Sequence, residues 1–109
     1  MTLQGKRASA GIHTGLARFI SKPSQVDELQ PGEIMLTKMT TPDWIECFEK
    51  IKANGGGIIT TTGGMTCHAA IVCREYGIPC VVGLHGALVL DGRTLKMNGL
   101  TGEVEVLDA

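Results

Sequence analysis

The sequence predicts an α/β fold with a mostly parallel βαβαβ core, followed by antiparallel strands at the C-terminal end. From Glu33 to Val82 the pattern alternates strand, helix, strand, helix, strand, which is typical of successive right-handed βαβ units. Asp91-Gly92 and Asn98-Gly99 are dipeptides that favour the positive φ angles of tight turns, so turns are expected there. The alternation of glutamate and valine from Glu103 to Val106 indicates a strand with one solvated face.

The first third of the chain is predicted to contain two strands. We expect the 109 residues to form a single domain, because this length is sufficient for one hydrophobic core. Residues 1–9 are polar and lack a hydrophobic period, so we expect them to be a leader or a linker. Gly11 to Ile20 is predicted to be a strand, Pro31-Gly32 marks a turn, and residues 33–37 follow as a short buried strand.

The segment after this strand is predicted to be an amphipathic helix. Thr41-Pro42-Asp43 offers a capping hydroxyl, a proline at the first helical position and an acid in the first turn. An apolar stripe at helical spacing, which we expect to pack on the sheet, is formed by Trp44, Phe48 and Ile51. Residues 54–57 end the helix and lead into the β-branched run Ile58 to Thr62, which is predicted to be a buried strand.

A second helix follows the glycine pair Gly63-Gly64 and carries a histidine, His68, in or just before its first turn. Thr66 is a natural N-cap, and Gly77 a natural residue to end the helix. In open parallel sheets, ligands gather beyond the carboxyl ends of the strands. The glycine loop and His68 are predicted to lie at that edge.

The position of His68 favours anion chemistry. Unpaired N–H groups and a positive macrodipole at a helix start attract anions and disfavour an imidazolium ring. A neutral imidazole has a free lone pair and can attack phosphorus, and the negatively charged product would be stabilised at the same helix start. The alternative is that His68 is a plain polar surface residue or a cap, since a glycine pair and one histidine are a weak motif.

The string from Gly63 to Arg74 closely resembles the phosphohistidine signature of the phosphoenolpyruvate (PEP)-utilising enzymes. That family includes pyruvate phosphate dikinase, PEP synthase, enzyme I of the phosphotransferase system and rifampicin phosphotransferase. The similarity continues from Glu75 to Gly83, and more loosely to the C-terminus and around Gly11 to Arg18. One departure is Cys73, where the family usually has a residue such as alanine.

The resemblance implies a swivelling β/β/α domain in which His68 carries a phosphoryl group between two remote sites. It implies that Thr66 hydrogen-bonds His68. Gly63 and Gly64 would let backbone N–H groups approach the phosphoryl oxygens, and Cys67 shares this phosphate-binding helix start. Arg74 is a weaker candidate because it lies nearly two turns along the helix.

The resemblance also implies that the chain is part of a phosphotransferase and is not a complete catalyst. Its partners would be a nucleotide-binding domain and a PEP/pyruvate-binding barrel, in cis or in trans. Mg²⁺ and ATP or PEP are expected on those partners, and no cofactor or metal is expected in this domain. The chain itself has no P-loop motif, and the donor and final acceptor stay open.

Composition excludes several other classes. The net charge is −1 and no lysine or arginine cluster is present, so neither a nucleic acid nor an anionic membrane is expected as a partner. No signal peptide or membrane-spanning apolar run is found, which favours a cytoplasmic location. The cysteines, expected to be reduced thiols without the spacing of a zinc site, are Cys47, Cys67, Cys73 and Cys80.

Two other functions stay open. The first is a swivelling or regulatory binding module that is never phosphorylated, for which His68→Ala would leave the parent activity intact. The second is a thiol or redox protein that uses Cys67, since the positive helix start also activates a thiol. His85 could serve as its base, but no orienting Asn or Asp is evident in the sequence.

Overall fold

Eight β-strands and two α-helices make up the computed structural model, which describes residues 1–108. The strands are β1 (Thr2–Gln4), β2 (Lys6–Ser9), β3 (Ile12–Phe19), β4 (Ile34–Thr37), β5 (Gly57–Thr60), β6 (Cys80–Val82), β7 (Thr94–Asn98) and β8 (Glu103–Val106). The helices are α1 (Ile45–Asn54) and α2 (His68–Tyr76). Short 3₁₀ helices span Pro23–Glu28, Pro42–Trp44 and Ala87–Leu90.

The strands form one mixed sheet in the order β1-β8-β7-β3-β4-β5-β6-β2. The four central strands β3, β4, β5 and β6 are parallel, and all other neighbours are antiparallel. The predicted α/β fold, with a parallel core and C-terminal antiparallel strands, is therefore confirmed. The tail strand β7 pairs with β3 and so extends the edge of the parallel portion, as expected.

Residues 1–9 form two strands, which corrects their expected role as a leader or linker. β1 pairs with β8 at one end of the strand order, and β2 pairs with β6 at the other. Only Gly5 separates the two strands, and its N–H donates to the Gly102 carbonyl at 2.8 Å. The sheet therefore curls until its first and last strands follow one another along the chain. This N-terminal segment joins the two edges of the sheet and does not lie outside the fold.

The curled sheet creates two hydrophobic cores and hence three layers. One core lies between the helices and the parallel strands and includes Phe48, Ile58 and Val82. The other lies between the parallel strands and the antiparallel strands and includes Ile59 and Met97. Because β5 contributes to both cores, its residues are buried on both faces. This explains why the residues of β5 do not alternate between buried and exposed positions.

The start of α1 differs from the sequence prediction in one detail. Residues 42–44 form a 3₁₀ turn, and α1 itself begins at Ile45. The Thr41 hydroxyl donates to the Asp43 carboxylate and makes no capping bond to the backbone. The predicted apolar stripe is confirmed, since its three members are all buried: Trp44, Phe48 and Ile51.

The carboxyl ends of β4 and β5 lie side by side, because Thr37 pairs with Thr60 at the end of the ladder. The chain leaves β4 through residues 38–41 and leaves β5 through residues 61–67. Hydrogen bonds join the two exits, since the Thr62 N–H and hydroxyl both donate to the Lys38 carbonyl. The loops that precede α1 and α2 are therefore neighbours at one edge of the sheet. None of the helices within residues 1–108 is both long enough and apolar enough to cross a membrane.

Candidate functional site

His68 is the first residue of α2, at the carboxyl edge of the parallel strands. Cys67 occupies the N-cap position, with extended backbone angles and no side-chain capping bond. Thr66 was predicted to be the N-cap and lies one residue earlier. The first-turn N–H groups of a helix have no partner inside the helix, so this end of α2 presents donors and a positive dipole toward the His68 side chain.

The His68 ring is held by a residue that the sequence patterns did not reveal. Thr40 Oγ1 is hydrogen-bonded to His68 Nδ1 at 2.8 Å. Thr40 is only 3% exposed, so its hydroxyl is fixed within the fold. A bond at Nδ1 sets both the plane of the ring and the direction of the other nitrogen, Nε2. The signal that could have found Thr40 is its place three residues after the end of β4, beside the exit of β5.

Phe48 of α1 supports the same ring. The ring centroids of Phe48 and His68 are 5.8 Å apart, with an interplanar angle of 74°, which is an edge-to-face contact. Phe48 is fully buried, whereas His68 is half-buried. The imidazole is thus packed on one side and open on another. Helical spacing predicted a core position for Phe48 but did not predict its contact with His68.

The second ring nitrogen, Nε2, is free and accessible. Within residues 1–108, Nε2 has no hydrogen-bond partner. Every buried side-chain nitrogen or oxygen in that range does have a partner. Nε2 is therefore not buried. A cavity of about 150 Å³ adjoins the ring and is lined by Met39, Thr40, Thr60, Thr62, Gly63, Cys67, His68 and Ala69. None of the lining residues other than His68 has an acidic or basic side chain.

The two glycines before α2 are present for different reasons. Gly63 has a φ of 103°, and a Cβ at this position would lie 2.9 Å from Cys67 Sγ. Both its backbone conformation and the adjacent thiol exclude a side chain there. A Cβ at Gly64 would meet no atom within 4 Å beyond its chain neighbours, and the φ of Gly64 is not left-handed. The fold therefore does not require a glycine at position 64.

Two predicted site residues lie elsewhere than expected. Thr66 is exposed and, among the residues that the structure describes, makes no hydrogen bond with His68. Arg74 donates from Nε to the Ala8 carbonyl at 2.7 Å and from Nη2 to the Met65 carbonyl. Its guanidinium ties the loop before α2 to strand β2 and does not line the cavity. Arg74 thus supports the site without facing it.

The cysteines separate into one accessible thiol and three buried ones. Cys67 is half-buried and lines the cavity beside His68. A hydrogen bond with Cys73, together with burial, raises the pKa of the Cys80 thiol. Burial also raises the pKa of Cys47. Within residues 1–108 all four thiols are free, and no group of three metal-ligating side chains is found.

The fold and the site together define a class: a three-layer β/β/α domain that presents one anchored, accessible imidazole at the N-terminus of a helix. Residues 29–102 match the family described as the PEP-utilising enzyme mobile domain, and the chain belongs to that family. The resemblance seen in the sequence is thereby confirmed.

Individual proteins agree with this assignment. A probable PEP synthase of Methanothermobacter thermautotrophicus is 40% identical over 94% of the chain. Among solved structures, an enzyme I protein has a TM-score of 0.61 and 29% identity, covering 77% of this chain and 34% of that one. Aconitase X of Thermococcus kodakaraensis has a TM-score of 0.74 at 19% identity, over 99% of both chains, and shares the fold.

The chain is much shorter than the curated relatives that it matches. It spans 15% of the Methanothermobacter protein and 10% of a PEP synthase of Helicobacter pylori. The similarity therefore concerns one domain of those proteins.

Proposed function

We propose that this chain is a phosphoryl carrier domain that accepts and donates a phosphoryl group at Nε2 of His68. The observation that carries the proposal is the anchoring of Nδ1 by Thr40, which leaves Nε2 free beside a cavity at the start of α2. A carrier needs one nucleophile that is held in a fixed direction and can still be reached by two partners. The anchored ring and the open Nε2 of His68 support this role.

The chemistry follows from the ring's hydrogen bonding. When Nδ1–H donates to Thr40 Oγ1, the lone pair of the neutral ring lies on Nε2. Nε2 attacks the phosphorus of the donor, and the bond between phosphorus and the leaving oxygen breaks with its electron pair on that oxygen. The Nδ1 proton stays on the ring, where Thr40 accepts it in a hydrogen bond. Transfer to the acceptor reverses these steps with a new attacking oxygen.

The helix start would stabilise the phosphorylated state. First-turn N–H groups and the macrodipole favour a negatively charged group at this position. Gly64 has no side chain to hinder an approaching phosphoryl group, and Gly63 keeps the loop in its required conformation. The cavity contributes neutral surface, so no carboxylate among its lining residues repels the phosphate.

The donor and acceptor sites would belong to other domains, in cis or in trans. The family's description as a mobile domain and the small share of the relatives' length support this division. A nucleotide-binding domain and a PEP/pyruvate-binding barrel, with Mg²⁺ and ATP or PEP, would supply the positioning and charge neutralisation that phosphoryl transfer requires. The chain alone would be a component of a phosphotransferase.

The proposal can be tested without partner domains by using phosphoramidate, a small reagent that phosphorylates imidazoles with loss of ammonia. We expect His68 to be labelled faster than His13 and His85, as resolved by peptide mass spectrometry, with a label at His68 that is labile in acid and stable in base. His68→Ala should abolish it, and Cys67→Ser should retain it. Failure of the wild-type chain to be labelled at His68, or loss of label only with Cys67→Ser, would contradict the proposal.

A second experiment addresses the partners. The chain is mixed with the nucleotide-binding domain of a PEP synthase and labelled ATP, or with a PEP-binding domain and labelled PEP. Transfer of label to His68 from either donor supports the carrier role and identifies the donor. A domain that swivels without being phosphorylated would gain no label from either one.

A further inference from the structure

Strand β2 brings a lysine, Lys6, to the same face of the sheet as α2. Lys6 pairs with Val82 in the antiparallel ladder between β2 and β6. Paired residues of neighbouring strands place their side chains on the same face. Val82 belongs to the core beneath α2, together with Ala69 and Ala70. The Lys6 side chain therefore leaves the sheet on the side where α2 begins.

The stem of Lys6 and the loop that precedes His68 both approach Gly83. A Cβ at Gly83 would be 3.1 Å from Lys6 Cδ and 2.9 Å from the Gly63 carbonyl oxygen. The Gly83 N–H also donates to the Thr62 carbonyl. Gly83 therefore brings the lysine stem and the glycine loop together. The ammonium group is two bonds beyond Cδ and is therefore within reach of the rim of the loop formed by residues 62–67.

Lys6 is exposed, and its charge is not neutralised within the part of the chain that the structure describes. The ion pairs there are Arg18 with Glu33 and Arg93 with Asp108, and Lys6 donates no side-chain hydrogen bond. The other cation near the loop, Arg74, is bound to the two carbonyls of Ala8 and Met65. A phosphoryl group on His68 would add negative charge to a cavity whose lining supplies no cationic side chain.

We propose that Lys6 supplies positive charge to the phosphoryl group during its transfer to and from His68. This inference rests on the carrier role proposed above and assigns a residue to that site. Lys6 lies outside the stretch that matches the family, residues 29–102. One charge at the rim of a partly solvated site should change the transfer rate by about threefold to tenfold, and salt should screen the effect.

The test is the rate of His68 phosphorylation by phosphoramidate, measured at about 10 mM and about 150 mM salt. Lys6→Met removes the charge and keeps the length of the stem, and Lys6→Arg restores the charge. Lys96→Met is the control, because Lys96 is exposed on β7, opposite Glu105 and away from α2. We expect Lys6→Met to slow phosphorylation about threefold to tenfold at low salt and less at high salt. Lys6→Arg and Lys96→Met should behave like the wild type.

The outcomes separate this inference from the carrier role. If the wild type is labelled at His68 and Lys6→Met reacts at the wild-type rate at low salt, the lysine inference is wrong and the carrier role stands. If Lys6→Met is slower by the same factor at both salt concentrations and unfolds at a lower temperature, its role is structural, which also overturns the inference. If the wild type is not labelled at His68, the carrier role itself fails.

Discussion

Thr40 and His68 are joined by a hydrogen bond of 2.8 Å between Oγ1 and Nδ1, although 28 residues separate them. Each follows a different strand of the parallel core, Thr40 after β4 and His68 after β5. The bond exists because the carboxyl ends of β4 and β5 are adjacent in the sheet. It connects the start of α2 to the neighbouring loop and fixes the direction of Nε2. The orientation of the proposed nucleophile is thus a consequence of strand order.

Replacing Thr40 with valine is expected to slow phosphorylation of His68. Valine keeps the shape of threonine and removes the hydroxyl, so Nδ1 loses its partner and the ring loses its preferred direction. The loss of one hydrogen bond of about 1 kcal/mol corresponds to a rate reduction of about fivefold to tenfold. The measurement is the rate of phosphohistidine formation with phosphoramidate, and Thr40→Ser should recover most of the wild-type rate.

Thr66→Val is the matched control for this prediction. Thr66 is exposed and does not contact the ring through a hydrogen bond in the described part of the chain. We expect its replacement to leave the rate within about twofold of the wild type, since surface substitutions have small effects. A loss of rate with Thr66→Val and none with Thr40→Val would show that Thr66 has the family-based role and that Thr40 is not the orienting residue.

Much of the core could be predicted because the determining signals are local. The β-branched run before Gly63, the glycine pair and the helix formers after His68 each restrict the backbone within a few residues. These signals located β5, the loop and α2, and they placed His68 at the carboxyl edge of the sheet. The apolar stripe of α1 was equally local, because it depends only on helical spacing.

The parts that could not be predicted depend on contacts between distant residues. β1 and β2 are short strands at the two ends of the strand order, paired with segments about 100 and 75 residues away. Strands of three and four residues are too short to show a hydrophobic period. The partner of His68 could not be predicted for the same reason, since Thr40 follows a different strand and no local pattern connects the two residues.

Alanine substitutions should distinguish the two glycines of the loop. At Gly63 a side chain is opposed by a φ of 103° and by Cys67 Sγ, so Gly63→Ala should destabilise the fold by about 1–3 kcal/mol. That loss corresponds to a fall in the melting temperature of about 5–15 °C in a domain of this size. Gly64→Ala meets neither obstacle and should change stability by less than about 1 kcal/mol.

Measuring the phosphorylation of His68 in the same two variants separates effects on stability from effects on function. Gly64→Ala should slow phosphorylation of His68 despite its normal melting temperature, because a methyl group would occupy the surface that the phosphoryl group approaches. A Gly64→Ala protein with both wild-type stability and wild-type rate would remove Gly64 from the proposed phosphate-binding residues. The melting temperature is measured by circular dichroism, and the rate of phosphorylation is measured by labelling with phosphoramidate.

The thiols should react selectively in the folded protein. Cys67 is half-buried at the cavity, whereas Cys47, Cys73 and Cys80 are fully buried. Thiolates are the reactive form, and the raised pKa of Cys47 and of Cys80 further lowers their reactivity. Iodoacetamide should therefore modify one cysteine per folded chain, identified as Cys67 by peptide mapping, and all four after unfolding.

Alkylation of Cys67 should also block phosphorylation of His68, because the added group would fill part of the shared cavity. The Cys67→Ser protein is the control: it should accept the phosphoryl group both before and after treatment with iodoacetamide. If Cys67→Ser abolishes the activity of the parent enzyme while His68→Ala does not, the thiol function is favoured over the carrier function.

The ion pair between Arg18 and Glu33 should make stability depend on pH. Arg18 donates from Nε and Nη2 to the two Glu33 oxygens at 2.6 and 2.8 Å, and the Gln30 N–H donates to the same carboxylate. Burial alone would raise the pKa of Glu33, but these hydrogen bonds outweigh it and hold the pKa below its ordinary value. The folded state therefore favours the ionised carboxylate more strongly than the unfolded state does.

The direction in which stability changes with pH follows from the lower pKa of Glu33 in the folded state. The stabilisation is fully present above the unfolded pKa of glutamate, about 4.3, and is lost as the pH falls through the lower folded pKa. Glu33→Gln should be less stable than the wild type by about 1–3 kcal/mol at pH 7, and this gap should narrow as the pH falls below about 4. The measurement is urea unfolding across this range. The Arg93–Asp108 pair is present in both the wild type and Glu33→Gln, so its contribution cancels when their free energies of unfolding are subtracted. Glu103→Gln, at an exposed position on β8, is the control variant and should have the stability of the wild type at each pH. A gap that stays constant from pH 7 to low pH would mean that the charge of Glu33 makes no contribution to folding.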